Sequence, residues 1–162
     1  MGEIQKCTPL ELETVMERYG DMVFRLAYSY TRSRSDAEDL YQEVFLRYYE
    51  KRPQFESQEH CKAWLIRVTV NRARSLLSSA WMRKTVPLED RIPLPEPEEH
   101  RLDEALRALQ PRDRMVLHLF YYEQYTIREI AQLTSRREST VRTQLTRSRR
   151  RLAAIMKGER DV

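Results

Sequence analysis

Glycine and long apolar runs are both scarce in this chain, and each shortage excludes a class of structure. Only three of the 162 residues are glycine, too few for a β-sandwich or barrel with many tight turns. No stretch approaches the roughly 18 to 20 apolar residues that a membrane span requires, and the first residues lack the features of a signal peptide. Arginine, glutamate, glutamine, leucine and alanine are common instead, and they favour helices. We therefore predict an all-α, soluble, cytoplasmic protein.

The residue types that usually carry catalysis or bind metals are also few. Cys7 and Cys61 are far apart and fit no metal-ligand spacing, so free thiols are expected. His60, His100 and His118 are isolated, and neither a Gly-rich phosphate loop nor a serine–histidine–aspartate arrangement is present. We expect no catalytic residue, no metal, no cofactor and no small-molecule substrate, so the chain is not predicted to be an enzyme.

A proline-rich acidic segment divides the chain. Residues 85–100 contain four prolines and five acidic residues without helical periodicity. Because proline lacks an amide donor and fixes its φ angle, this composition predicts an extended, flexible linker. We predict a first domain over 1–83, a linker over 84–100 and a second domain over 101–162. The second domain carries 14 basic and 8 acidic side chains, whereas the first carries 13 and 12, so the excess positive charge lies in the second.

Helical periodicity and capping signals predict the order of the elements. Thr8, Ser35 and Thr126 are each followed by glutamate three residues later, which is the pattern of a capping box. Gly20 is expected to punctuate the helix that starts at Thr8. The predicted helices run from Thr8 to Gly20 and then over 21–31, 35–51, 57–81, 101–109, 111–122, 126–133 and 137–156.

The last two helices form a pattern typical of a helix-turn-helix, in which the second helix enters the major groove of DNA. Val141, Leu145 and Leu152 share one face of the second helix, together with Ser148. The opposite face is polar, and arginine, amide and hydroxyl side chains are the types that contact bases and phosphates. A helical hairpin with a merely solvated outer face has the same pattern. The outward face comprises Ser139, Thr143, Thr146, Arg147 and Arg150, with Arg142 and Gln144 on its flanks.

The helix predicted over 35–51 has an apolar residue in the middle of a polar face. Asp39, Gln42 and Glu43 surround Leu46, whereas the core stripe lies on the other side. A leucine with a rim of acidic and amide groups suits protein binding, but a single exposed leucine is also ordinary. The periodicity leaves both interpretations open. The core stripe is predicted to comprise Ala37, Leu40, Tyr41, Val44 and Tyr48.

Three stretches decide between these interpretations by resemblance. The runs SDAEDLYQEVFLRYYEK (35–51) and FESQEHCKAWLIRVTVNRARSLL (55–77) closely resemble the second conserved region of extracytoplasmic-function (ECF) sigma factors, the smallest members of the sigma-70 family. The run LRALQPRDRMVLHLFYYEQYTIREIAQLTSRRESTVRTQLTRSRRRL (106–152) resembles their fourth region. The resemblance implies two small helical domains, a region 2 bundle and a region 4 helix-turn-helix. It also implies a function in promoter-specific transcription initiation by RNA polymerase.

The resemblance also implies partners and positions. Core RNA polymerase would be bound through the clamp helices of its largest subunit and through its β flap, and many family members are held by an anti-sigma factor, often membrane-bound. The loop over 54–61 matches the segment that captures an unstacked promoter base, while Trp64 is expected to pack in the core. The implied polymerase contacts are Asp39, Gln42 and Glu43, beside Leu46. The implied −10 contacts are Arg67, Asn71 and Arg74. The implied −35 contacts include Arg142, Thr143, Thr146 and Arg147, on the face that also carries Ser139 and Arg150.

The chain departs from the family pattern at the turn of the helix-turn-helix. Thr134, Ser135 and Arg136 stand where the family usually has Leu-Gly-Ile or similar. A serine in a left-handed turn position would cost of order 1 kcal/mol relative to glycine. Arg137 would be a poor N-cap, and a capping box from Ser135 to Glu138 would start the helix earlier. These departures concern the −35 contacts and leave the family resemblance unchanged.

Two alternatives follow from the residues. A conventional helix-turn-helix regulator would bind duplex DNA without polymerase, usually as a dimer, although the chain has no long heptad seam. The linker acids are expected to serve solubility, and mimicry of nucleic acid in the polymerase channel is the alternative. These acids are Glu89, Asp90, Glu96, Glu98 and Glu99.

Overall fold

The computed structural model describes residues 11–77 and 97–158, and within these ranges the regular elements are helices. The first helical unit comprises α1 (Leu12–Thr31), α2 (Arg34–Lys51) and α3 (Gln58–Leu77). The second comprises α4 (Pro97–Arg107), α5 (Pro111–Leu117), a π-helical turn (His118–Tyr122), α6 (Ile127–Thr134) and α7 (Glu138–Met156). The all-α prediction is confirmed. Cys7, the capping residue Thr8, most of the predicted linker and the predicted end of α3 near Trp81 lie outside the described residues.

Helix α1 is continuous, so the predicted interruption at Gly20 is wrong. Gly20 is buried in the middle of the helix, where glycine costs only about 1 kcal/mol relative to alanine. A Cβ at this position would lie 3.0 Å from the hydroxyl oxygen of Tyr41 on α2. The small residue therefore permits the close approach of α1 and α2 and does not end the helix.

Helix α2 starts before the predicted capping box. Its N-cap is Ser33, whose side chain accepts a hydrogen bond from the backbone N–H of Asp36 at 3.3 Å. Ser35 lies inside the helix, so the prediction of Ser35 as the cap is wrong by two residues. The local signal was ambiguous because two serines flank Arg34 and either one can act as a cap.

The core of the first unit combines the predicted stripe of α2 with rings from the following loop. Phe55 is buried, and its ring centroid lies 6.0 Å from that of Trp64 and 6.4 Å from that of Tyr48. Trp64 is half-buried against this cluster, as predicted. Phe45 is also buried, although the stripe prediction omitted it, and Tyr41 is only half-buried. The fully buried side chains of the predicted stripe are Ala37, Leu40 and Val44.

The second unit follows the predicted order with small differences at its start. Helix α4 begins at Pro97, inside the segment predicted to be linker, and proline suits the first turn of a helix because its missing N–H is not needed there. The capping box of α6 is confirmed: Glu129 N–H donates to Thr126 Oγ1 and Thr126 N–H donates to Glu129 Oε1, both at 3.1 Å. In the described part of the chain, none of the helices is long and apolar enough to cross a membrane.

The two units pack directly against each other. Helix α1 contacts α5 and the π-helical turn, and α3 contacts α6. One buried charged group in this contact is Arg114 on α5, which is 7% exposed. Burial lowers the pKa of Arg114 to about 10, which still leaves the guanidinium charged at neutral pH. Its donors are bonded to backbone carbonyls of both units.

Candidate nucleic-acid and protein interfaces

Helix α7 has the two faces that its sequence predicts. Val141 and Leu145 are fully buried, and Leu152 is partly buried. Thr146 is half-buried, and its hydroxyl donates to the carbonyl of Arg142 at 3.0 Å. The remaining predicted contact residues are exposed on one side of the helix. They are Ser139, Arg142, Thr143, Arg147 and Arg150.

Gln144 does not belong to this exposed face. It is 2% exposed, and its Nε2 donates to Asp113 Oδ1 on α5 at 2.9 Å. Its Oε1 accepts a hydrogen bond from Arg136 Nη1 at 3.1 Å. The expectation that Gln144 flanks the DNA-contacting face is therefore wrong, because α5 covers that side of α7. The side chain instead links α5, the turn and α7.

The turn keeps a left-handed residue without glycine. Ser135 has φ 54° and ψ 45°, and the N–H of Arg136 donates to the carbonyl of Ala131 at 2.9 Å, as in a Schellman motif. Helix α7 begins at Glu138 after the N-cap Arg137, whose side chain makes no capping bond. The alternative capping box from Ser135 to Glu138 is therefore wrong. The left-handed turn forms although the chain has serine and not glycine at this position.

A polar cleft borders the start of α7. Two of its arginines, Arg112 on α5 and Arg136 in the turn, were not among the predicted contact residues. Desolvation and the nearby cations of Arg74 and Arg112 lower the pKa of Arg136, and the carboxylate of Asp113 opposes this shift without cancelling it. Such a cleft suits a phosphate group. It is lined by Arg112, Arg136, Ser139, Thr140, Thr143, Gln144 and Arg147.

The exposed side of α2 carries the predicted protein-binding patch. Leu46 is 57% exposed, and Asp39, Gln42 and Glu43 are exposed around it. A shallow groove passes between these side chains and Leu76 of α3. The four residues that the sequence singled out therefore lie together on one surface.

The predicted −10 residues lie on a single side of α3. Arg67 and Asn71 are exposed, whereas Arg74 is half-buried. The Nη2 atom of Arg74 donates to the carbonyl of Thr134 at the end of α6. Thus two of the three side chains face solvent, and the third contacts the second unit.

An apolar groove in the second unit had no counterpart in the sequence analysis. It has a volume of about 710 Å³ and lies between α4, the π-helical turn and the end of α7, with Ser29 and Arg32 at the end of α1 on one side. Leu102, Tyr121 and Tyr122 are 42%, 53% and 55% exposed. The guanidinium of Arg149 lies 5.9 Å from the ring centroid of Tyr121 at the edge of this groove. Exposed apolar surface of this kind is typical of protein-binding sites.

These features define a class: an all-helical, two-unit protein with a basic helix-turn-helix and separate surfaces for protein contact. Comparison with known proteins narrows the class. Residues 15–83 match the family model Sigma-70 region 2, and residues 99–152 match Sigma-70, region 4. The chain is 30% identical to the RNA polymerase sigma-E factor of Streptomyces coelicolor, covering 94% of this chain and 86% of that protein. It is 26% identical to the ECF RNA polymerase sigma factor SigM of Mycobacterium tuberculosis, covering 89% of this chain and 76% of that protein.

Solved structures agree in fold. The sigma factor RpoE of Bartonella quintana, in complex with the anti-sigma factor NepR, superposes with a TM-score of 0.75 at 19% identity over 93% of this chain and 99% of that one. CnrH, in complex with the cytosolic domain of CnrY, superposes with a TM-score of 0.65 at 21% identity, over 92% of this chain and 89% of that one. The chain belongs to the sigma-70 family, in its ECF group.

Proposed function

We propose that this chain binds core RNA polymerase and directs it to promoters through separate −10 and −35 contacts. The observation that carries the proposal is the joint presence of an exposed leucine-centred acidic patch on α2 and an exposed arginine-rich face on α7. A protein that only bound DNA would have no use for the first surface. We further propose that the chain has no catalytic activity of its own and functions in the cytoplasm, with a first domain over 1–83 and a second that starts with α4 at Pro97.

The α2 patch is the proposed contact with the clamp helices of the polymerase. Leu46 would be the apolar anchor, and Asp39, Gln42 and Glu43 would supply the polar rim. The groove beside Leu76 can accept an apolar side chain of the partner. Charge complementarity at such a rim favours a basic or amide-rich partner surface.

The proposed DNA contacts fall on two helices. Arg67, Asn71 and Arg74 of α3 would contact the −10 element, while the loop over 54–61 would take up an unstacked base. On α7, the exposed side chains would enter the major groove at the −35 element, where arginine pairs with guanine. The proposed −35 contacts are Ser139, Arg142, Thr143, Thr146, Arg147 and Arg150.

The apolar groove of the second unit is the proposed contact with the β flap of the polymerase. Its tyrosines and leucines would pack against an amphipathic segment, with Arg149 at the rim. An anti-sigma factor is a further proposed partner, since the similar structure of RpoE from Bartonella quintana contains the anti-sigma factor NepR. Competition between the β flap and the anti-sigma factor for the exposed apolar surface would prevent the chain from binding polymerase.

The test is association with core polymerase. Asp39→Lys with Glu43→Lys reverses two charges one helical turn apart on α2, and we expect the affinity for core enzyme to fall at least about tenfold. The matched control is Glu13→Lys with Glu17→Lys, an exposed pair at the same spacing on α1. Equal binding by both variants would refute the proposed clamp contact.

A second measurement separates this function from that of a stand-alone regulator. Promoter-specific binding and strand opening are expected only when core polymerase is present. A purified chain that protects a palindromic duplex without polymerase would instead support the conventional helix-turn-helix alternative.

A further inference from the structure

The polar cleft at the start of α7 is lined by arginines from three different elements. Arg112 belongs to α5, Arg136 to the turn and Arg147 to α7. In the described part of the chain, no carboxylate is among the residues that line this cleft. Guanidinium and hydroxyl groups are the side-chain donors that commonly bind phosphate oxygens. The hydroxyl groups here are those of Ser139, Thr140 and Thr143.

A buried amide fixes the orientation of Arg136 at the cleft. Gln144 Nε2 donates to Asp113 Oδ1 at 2.9 Å. Because an ionised carboxylate can only accept hydrogen bonds, the amide oxygen of Gln144 must point away from Asp113. That oxygen accepts a hydrogen bond from Arg136 Nη1 at 3.1 Å. The bond uses one of the five N–H donors of the guanidinium, and the side chain makes no other hydrogen bond within the described residues. Four donors are therefore left for a ligand.

The positive charge at the turn is only partly balanced. A further arginine, Arg74 of α3, donates to the carbonyl of Thr134, two residues before Arg136. Desolvation and the charges of Arg74 and Arg112 lower the pKa of Arg136, against the smaller opposing effect of the Asp113 carboxylate. Like charges held close together repel each other, and a bound anion would remove this repulsion. The cleft is therefore suited to an anion and not to a neutral ligand.

The size and the donors of the cleft favour phosphate over other anions. Its volume is about 350 Å³, which is the space of roughly a dozen water molecules at about 30 Å³ each. A phosphate group with part of its hydration shell therefore fits. The planar fork of an arginine matches two phosphate oxygens at once, and the hydroxyl groups can bond to a third. A carboxylate has only two oxygens and would leave more of these donors without a partner.

We propose that this cleft binds a phosphate group, with Arg136 as a direct ligand and Gln144 as the residue that positions it. Arg136 stands where the family pattern has an aliphatic residue, so the site belongs to this chain and does not follow from the resemblance. The phosphate comes from the DNA backbone or from a soluble phosphate compound. The first source rests on the proposed function, because Ser139, Thr143 and Arg147 line the cleft and also belong to the proposed −35 face. The second source is independent of it.

The test compares two adjacent arginines in the full chain. Arg136→Met removes the guanidinium from the cleft, keeps an apolar stem and leaves the bond between Gln144 and Asp113 in place. Arg137→Met is the matched control, because Arg137 is exposed, makes no capping bond and does not line the cleft. Arg136→Lys keeps a cation without the planar fork, and Gln144→Met keeps Arg136 but removes its hydrogen bond. Thermal melting confirms that each variant is folded at the temperature of the assays.

Titration calorimetry of the free chain with inorganic pyrophosphate measures binding of a soluble anion. The native chain and the control are expected to bind with equal affinity, and Arg136→Met at least about tenfold more weakly, because a charged hydrogen-bond donor is lost. Arg136→Lys should recover part of the affinity. Gln144→Met should bind more weakly than the native chain although no charge is removed, since Arg136 must then be ordered on binding. Native affinity in Gln144→Met would overturn the positioning role.

Promoter binding by the holoenzyme at increasing salt concentration measures the contact with DNA. Loss of one phosphate contact reduces the slope of log affinity against log salt by about 1. We expect this change for Arg136→Met, and an equal loss of affinity on native and base-substituted −35 elements, because a phosphate carries no sequence information.

The two measurements together identify the source of the phosphate. A loss specific to Arg136→Met in calorimetry alone indicates a soluble phosphate compound, a loss in the holoenzyme assay alone indicates the DNA backbone, and losses in both show that the cleft accepts either. If Arg136→Met matches the Arg137→Met control in both measurements, the proposal is overturned. If the native chain fails to bind core polymerase, the proposed function fails, and calorimetry alone decides whether the cleft binds phosphate.

Discussion

Arg114 offers the sharpest test of the interdomain contact. Its guanidinium donates to four carbonyls: those of Ser29 and Tyr30 on α1, and those of Leu106 and Leu109 before α5. Hydrogen bonds from a charged donor contribute about 1.5 to 3 kcal/mol each. Burial of the cation, which lowers its pKa to about 10, offsets several kcal/mol of their sum. A net contribution of about 3 to 5 kcal/mol to the free energy of unfolding remains, similar to the loss when a buried charge pair is broken.

Replacing this side chain with methionine should therefore lower the melting temperature. Arg114→Met keeps the apolar stem and the approximate length but removes the guanidinium donors from all four carbonyls, of which only that of Leu106 also accepts a backbone N–H, from Leu109. For a chain of this size, each kcal/mol corresponds to about 2 to 4 °C, so we expect a decrease of about 6 to 20 °C by differential scanning calorimetry. Arg114→Lys should recover only part of it, since an ammonium cannot reproduce the planar fork of donors.

The control is Arg128→Met, an exposed arginine on α6. A surface substitution of this kind changes stability by about 0.5 kcal/mol or less. If Arg114→Met melts within about 2 °C of the native chain, the carbonyl cluster contributes little. Arg114 then does not stabilise the contact between the two units.

Three further outcomes are expected. Ser135→Gly removes a serine in the left-handed conformation and should raise the free energy of unfolding by about 0.5 to 1 kcal/mol. The urea midpoint should rise accordingly, and a lower midpoint would contradict the turn assignment. The facing imidazole of His118 and the ammonium of Lys62 lower the pKa of Glu123. The stability that this carboxylate provides is therefore present at neutral pH. It is lost as the pH falls below 4.5, the ordinary pKa of a glutamate. Unfolding measured in acid should accordingly show a flatter pH dependence for Glu123→Gln than for the native chain, and parallel curves would argue against the interaction. Burial raises the pKa of the Cys61 thiol to about 11. In a Cys7→Ser background, Cys61 should therefore react with a disulfide reagent only when the chain unfolds. Fast labelling of the folded chain would show that the thiol is accessible.

Local signals explain which elements could be predicted. The capping box at Thr126 was correct because a cap depends only on the side chains within one helical turn. The outward face of α7 and the patch around Leu46 were also correct as surfaces, because a helix repeats every 3.6 residues whatever its neighbours are. The same reasoning placed Ser35 as a cap when Ser33 serves, since both serines satisfy the local pattern.

Neighbouring elements explain the errors. Gln144 lies at the flank of the α7 face, and only the position of Asp113 on α5 makes it a buried link. Gly20 resembles a helix terminator, and only the ring of Tyr41 shows why a glycine sits inside α1.

The amino-acid sequence by itself determined the helical class, the two-unit order and the faces that each helix presents, because propensity, caps and periodicity act within a few residues. Tertiary structure alone decided how the two units meet. The bond from Arg114 to Ser29 joins residues 85 positions apart, and the apolar groove forms only where α4, the π-helical turn and α7 come together. Contacts between residues so far apart in the sequence depend on how whole helices pack. This packing produces no repeating pattern of residues from which it could be predicted.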